Sequence, residues 1–106
     1  MRRAKVYVIN NSGHDYSEAE QFGDLVYLTT GEVSAYKTNL HYRMLAEKMK
    51  DAQEGDFILV TGLASINAVA GWIIGSLGVN LRLLLFKNGY YLQRCLLPTL
   101  LKEEVE

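Results

Sequence analysis

The sequence predicts an α/β fold: a small Rossmann-like three-layer domain whose mostly parallel sheet is closed by a C-terminal antiparallel hairpin. Three observations predict it. Short apolar runs at 5–9, 25–28 and 57–60 read as buried strands. Two longer stretches, opening near Thr38 and Leu63, carry helical character, and the helices they predict cross over between parallel strands. Asn88-Gly89, set between the strand-like runs 81–86 and 90–94, is the strongest short hairpin signal a sequence offers.

Each element has a local cause. The first strand, 5–9, ends in the polar loop Asn10-Asn11-Ser12-Gly13-His14-Asp15. Ser17 followed by Glu20 fits a capping box, so a brief helical turn is expected before Gly23. Thr29-Thr30-Gly31 closes the second strand. From Thr38, the residues Tyr42, Leu45, Ala46, Met49 and Ala52 recur at helical spacing, with Arg43, Glu47, Lys48 and Lys50 on the other face. Gln53-Glu54-Gly55-Asp56 turns the chain into the third strand, and Thr61-Gly62 leads into a helix over about 63–77. That second helix is apolar nearly all round, with small residues at Ala64, Ala68, Gly71 and Gly75. Such a stripe serves either tight packing on its own sheet or a helix-to-helix contact in a homo-oligomer. After the hairpin, Pro98 opens a short tail. No repeat, low-complexity tract or linker interrupts residues 1–106, which predicts one domain.

Composition narrows the partners. Eleven Lys and Arg against 12 Asp and Glu, net charge −1, leave no electrostatic footprint for nucleic acid. Arg2, Arg3 and Lys5 read as a solvated terminus. One cysteine, Cys95, excludes an intramolecular disulfide, and its apolar neighbours predict a buried, inert thiol. No charged-then-apolar leader precedes Lys5, so the chain is expected in the cytoplasm. Residues 57–81 are uncharged and long enough to span a bilayer. Gly62, Asn67, Gly78, Asn80 and the strand-forming start at Phe57 argue instead for strand, turn and buried helix, with no membrane contact.

The polar loop behind the first strand is where an α/β fold presents a site. The tips of parallel strands share one edge, which should bring Asn10, Ser12, Gly13, His14 and Asp15 towards Thr29, Thr30, Thr61, Gly62 and Ser65. The turn from Thr61 into the second helix aims free N–H groups at that edge, a setting for phosphate or carboxylate. Ordinary helix initiation explains the same turn. The chain has neither a Walker motif nor G-x-G-x-x-G, so ATP hydrolysis and dinucleotide redox chemistry are not supported. No spacing of His14, His41 and the carboxylates matches a metal site, and no cofactor is implied. His14 and Asp15, adjacent on a loop, diverge; they serve either as ligand contacts or as loop stabilisers. Tyr16 and Tyr36 fall in loops that should border the site, where an aromatic face stacks on a base or sugar.

The block Asn10-x-Ser12-Gly13-His14-Asp15-Tyr16-Ser17-x-Ala19-Glu20-x-Phe22-Gly23, with Tyr42-Arg43-x-Leu45-Ala46-Glu47 and Lys87-Asn88-Gly89-Tyr90-Tyr91, resembles small proteins of tailed phages and prophages. The resemblance runs along nearly the whole chain. It implies a viral gene product acting in a bacterial cytoplasm and transfers no catalytic residue.

Three functions follow as expectations. The first is a binding protein for a nucleotide-like anion at the strand tips, sequestering a defence-signalling nucleotide. The second is an enzyme that cleaves such a nucleotide with His14 as acid or base. The third is a module that binds a host protein through the edge hairpin and its Tyr90-Tyr91 pair.

Overall fold

In the computed structural model, which describes residues 2–96, five strands form one sheet in the order β2-β1-β3-β4-β5. The strands are β1 (Lys5–Val8), β2 (Asp24–Tyr27), β3 (Phe57–Leu59), β4 (Arg82–Lys87) and β5 (Tyr90–Cys95). β1, β2, β3 and β4 run parallel and β5 returns antiparallel, as the sequence predicts. Helices α1 (Thr38–Met49) and α2 (Ala64–Ser76) are the two crossovers. A 3-10 turn, Ser17–Gln21, sits between β1 and β2. Asn88 and Gly89 both take positive φ, 52° and 84°, the backbone of a type I′ turn that matches the twist of the flanking strands. The tail from Pro98 lies outside the described residues.

Direction of travel decides which face each connection covers. The chain moves one way along the sheet from β1 to β2, then the opposite way from β2 to β3 and from β3 to β4. Right-handed crossovers therefore place α1 and α2 together on one face and the 3-10 segment on the other. The core divides accordingly. Tyr7, Ile9, Leu28 and Ile58 pack under Leu45, Met49, Ile66, Ala70, Ile73 and Ile74. Val6, Val8, Phe57, Leu59 and Leu84 pack under Tyr16 and Ala19. The uncharged stretch 57–81 is thus divided between β3, α2 and a turn, and no helix among the described residues is long and apolar enough to cross a membrane.

Three local expectations are corrected. Arg2 is not a solvated end: its guanidinium grips the Asp56 carboxylate at 2.6 and 3.1 Å, and Arg3 pairs with Asp24 at 2.7 Å. The capping box at Ser17 does not form; the Asp15 carboxylate accepts the Ser17 N–H at 2.9 Å instead. Cys95 is exposed, because it lies on the edge strand, past the area that the 3-10 segment covers.

Asp56, only 3 % exposed, also accepts the backbone N–H groups of Lys5 and Gln53, both at 2.9 Å. Burial by itself would raise its pKa, but the Arg2 guanidinium and those two N–H groups outweigh burial and hold it below the ordinary carboxylate range. Neighbouring Tyr7 is pushed up to about 12, by burial first and by the Asp56 charge second, and stays neutral. A carboxyl lowered in the folded state contributes stability that is fully present above its unfolded pKa of about 4 and drains away as pH falls through the lowered value. Arg2→Ala is expected to cost about 3 kcal/mol at neutral pH in urea unfolding, since it strands a buried charge. Asp56→Asn should flatten the acid limb of the stability curve.

Gly23, just before β2, lies against the Ala4 backbone. A Cβ there would stand 2.4 Å from the Ala4 carbonyl oxygen, whose partner is the Asp24 N–H at 2.9 Å, the bond that opens the β1–β2 ladder. Gly23→Ala should therefore destabilise by about 3 kcal/mol or leave the chain unfolded, read by thermal melting.

Candidate functional site

The strand order reverses between β1 and β3, and open α/β sheets bind ligands beside such a reversal, outside the carboxyl ends of the strands. A cleft of about 240 Å³ opens beside it, on the face of the 3-10 turn. One wall is His14, Asp15 and Tyr16 from the loop after β1. The floor is Leu59, Val60 and Thr61 at the end of β3. The far wall is Phe86 and Tyr91, cross-strand partners on the hairpin whose rings meet edge to face at 5.2 Å. A second depression of about 350 Å³ shares Asp15, Phe86 and Tyr91 and extends past Ser17, Glu18 and Gly89.

Four rings and the carboxylate of Asp15 surround the floor of this cleft. His14 stands edge-on to Tyr16 with ring centroids 6.1 Å apart. Tyr16 is 6 % exposed, and its hydroxyl has no hydrogen-bond partner among the described residues. Tyr16 thus contributes to the cleft wall while its hydroxyl is closed off from solvent. The Ser17 N–H holds Asp15 below the usual carboxylate range, which keeps the rim charged. Tyr91 is raised, by burial first and then by Tyr16, Glu18 and Asp15, so it remains a neutral donor. Among the described residues no Lys or Arg lines the cleft.

Of the ten residues expected at the strand tips, His14, Asp15 and Thr61 line the cleft. Three others use their polar groups to fasten loops. Asn10 donates to the Gly31 carbonyl at 2.9 Å, and the buried Thr29 hydroxyl lies 2.7 Å from the Ile9 carbonyl and 2.9 Å from the Asn10 side-chain oxygen. Ser65 donates to the Ala35 carbonyl at 2.7 Å. Ser12, Gly13, Thr30 and Gly62 are exposed and lie outside the cleft wall. For Gly62 and Ser65 the reason is the crossover direction, since the connection after β3 leaves over the helix face once past Thr61; Asn10 lies where the chain runs on beside 29–31, the Asn11 N–H donating to the Thr29 carbonyl and the Gly31 N–H to the Asn11 carbonyl, and only from His14 does the β1 loop border the cleft. Tyr36 goes with the helix-face group and is 92 % exposed. His41 is buried, with its Nε2 bonded to the Ser34 carbonyl. Phe86 and Tyr91 are the site residues that strand-tip reasoning missed; their signal was the hairpin register, which puts both on the face of the β1 loop.

A family model described as phage Pam3 gp32-like protein matches residues 4–93. The chain belongs to the phage Pam3 gp32-like family. This agrees with the resemblance to tailed-phage proteins, and the matched segment contains both walls of the cleft. No curated protein and no solved structure matches the chain significantly.

Tyr16→Phe tests whether that hydroxyl matters to the fold. Removing a hydroxyl that bonds nothing should change unfolding free energy by less than about 1 kcal/mol in either direction. Urea unfolding checks this, and a destabilisation well beyond that range would place the hydroxyl in the fold's own hydrogen bonding.

Proposed function

We propose that this phage-family protein binds a nucleotide-like small molecule, ring first, in the cleft between the β1 loop and the β4–β5 hairpin. The observation that carries the reading is the convergence of the His14, Tyr16, Phe86 and Tyr91 rings on one cleft beside the reversal of strand order. These rings offer surfaces for a planar ligand ring, and Thr61 and Asp15 offer hydrogen bonds to its polar edge. A phosphate gains little here, since Asp15 and Glu18 make the rim negative; it points outward to solvent.

Holding the ligand fits better than cleaving it. Asp15 already accepts the Ser17 N–H, and it neighbours His14 in sequence, so it does not orient His14 as a general base. For a phage gene product, holding a host nucleotide without turnover amounts to sequestration. A second reading has its own observation: β5 is a sheet edge beside the exposed Tyr90 and Phe86, a surface to which a host protein's strand can add.

Titration calorimetry of the full chain with nucleosides, mononucleotides and cyclic dinucleotides tests the proposal. At least one is expected to bind, its nucleoside portion retaining most of the affinity, inorganic phosphate giving no heat, and Phe86→Ala weakening binding about tenfold. Absence of binding by every compound at about 1 mM would overturn it and leave the protein-partner reading in its place.

A further inference from the structure

Charge around the cleft is one-sided. Asp15 lines both the cleft and the adjoining depression, Glu18 lines the depression, and among the described residues neither hollow is lined by Lys or Arg. Neither carboxylate enters an ion pair among the described residues. The nearest cations of the hairpin are turned away or distant. Lys87 follows Phe86 and so takes the opposite face of β4, while Arg82, on the Phe86 face, stands four residues back, about 13 Å along the strand. The carboxylates act on the far wall as well: Glu18 and Asp15, behind burial and Tyr16, help to raise Tyr91 and keep its hydroxyl protonated.

The fold explains an acceptor at position 15 but not its charge. Asp15 fastens the 3-10 turn through Oδ1, which takes the Ser17 N–H at 2.9 Å, and an asparagine oxygen would serve equally well there. Glu18 makes no side-chain hydrogen bond among the described residues; only its backbone carbonyl is used, by Gln21. Aromatic faces carry the negative end of the ring quadrupole and attract cations. Rings and carboxylates in this cleft therefore select the same sign of charge, and a neutral ligand would use only the rings.

We propose that the planar ligand of this cleft is a cation: a nucleoside whose base is positively charged through N-alkylation, its ring against Phe86 and Tyr91 and its charge facing Asp15 and Glu18. This rests on the ring-binding reading of the cleft and narrows its ligand class. A flat ring fits better than a compact ammonium for a physical reason. The floor includes the apolar Leu59 and Val60, and an ammonium is strongly hydrated, whereas a charge spread over a ring enters apolar surroundings at lower cost. A phosphate on the same nucleoside would still point outward, away from the carboxylates.

Titration calorimetry of the full chain at neutral pH with 1-methyladenosine, which is cationic there, and with its neutral isomer N6-methyladenosine tests this. The two contain the same atoms, so their ratio of affinities reads the charge. The cation is expected to bind at least about fivefold more tightly, the ratio falling towards one as salt is raised to about 1 M and the carboxylates are screened. The same fall is expected at low salt when Asp15→Asn and Glu18→Gln are combined, with thermal melting to show that the chain is folded. Argininamide, a planar cation without a nucleobase, should bind more weakly than 1-methyladenosine. Equal binding of the two isomers overturns the inference and leaves ring binding standing. A preference that survives both salt and substitution also overturns it, since the methyl position and not the charge is then being read. Binding of neither isomer overturns it too, and adenosine and guanosine titrated alongside then decide the ring-binding reading separately.

Discussion

Asp56 stands where three separate pieces of chain meet, and its carboxylate takes a hydrogen bond from each: the Arg2 guanidinium before β1, the Lys5 N–H that begins β1, and the Gln53 N–H in the turn before β3. It thereby fixes β1 and β3 side by side at their amino ends, and every other relation in the sheet follows from that pair. β2 adds to the free side of β1 and β4 to the free side of β3. A buried carboxylate in this position penalises misalignment, because a slip of either strand would leave it charged, dry and unpaired. Among the described residues the opposite end of the sheet has no such clamp. Its loops are held by weaker neutral bonds from Asn10, Thr29 and Ser65, and there the cleft opens.

The two faces of the sheet are covered unequally. α1 and α2 spread over one face, while one 3-10 turn and its loop cover only part of the other. Leu84 of β4 is buried under that loop, yet Phe86, two residues on, is 61 % exposed. The cleft is the step between the covered and the bare part of this face. A fold of this strand order with a full helix after β1 would fill the step. The short connection is therefore what leaves the cleft open.

The edge strands are treated differently as well. Lys48 of α1 reaches across to donate to the Tyr27 and Leu28 carbonyls at 3.0 and 3.1 Å, occupying groups at the end of β2 that would otherwise invite another strand. β5 has no comparable guard among the described residues, and its face towards the cleft carries Tyr91, Gln93 and Cys95. The cleft, the bare edge and the uncharged helix face are three distinct surfaces. The family match from residue 4 to 93 includes all of the first two but the last strand's end, and the whole of the third.

Much of the architecture was legible in the sequence because its causes are local. Apolar runs, the 3.6-residue period from Thr38 and the Asn88-Gly89 turn each act over a few residues, and the elements they predict are present close to their expected ends, the largest difference being the first helix, which stops at Met49 rather than Ala52. The site was legible only in part. His14, Asp15 and Tyr16 were visible as a polar loop behind a strand, but Phe86 and Tyr91 join them through strand order and hairpin register. Arg2 likewise reads as a loose cation until Asp56, 54 positions away, is placed beside it. The sequence by itself determined which segments are strands and helices, since backbone preference and side-chain period are properties of neighbours along the chain. Only the tertiary structure decided which strand tips share a face, because that depends on the direction in which each crossover runs, and direction is set by packing between residues far apart in the chain.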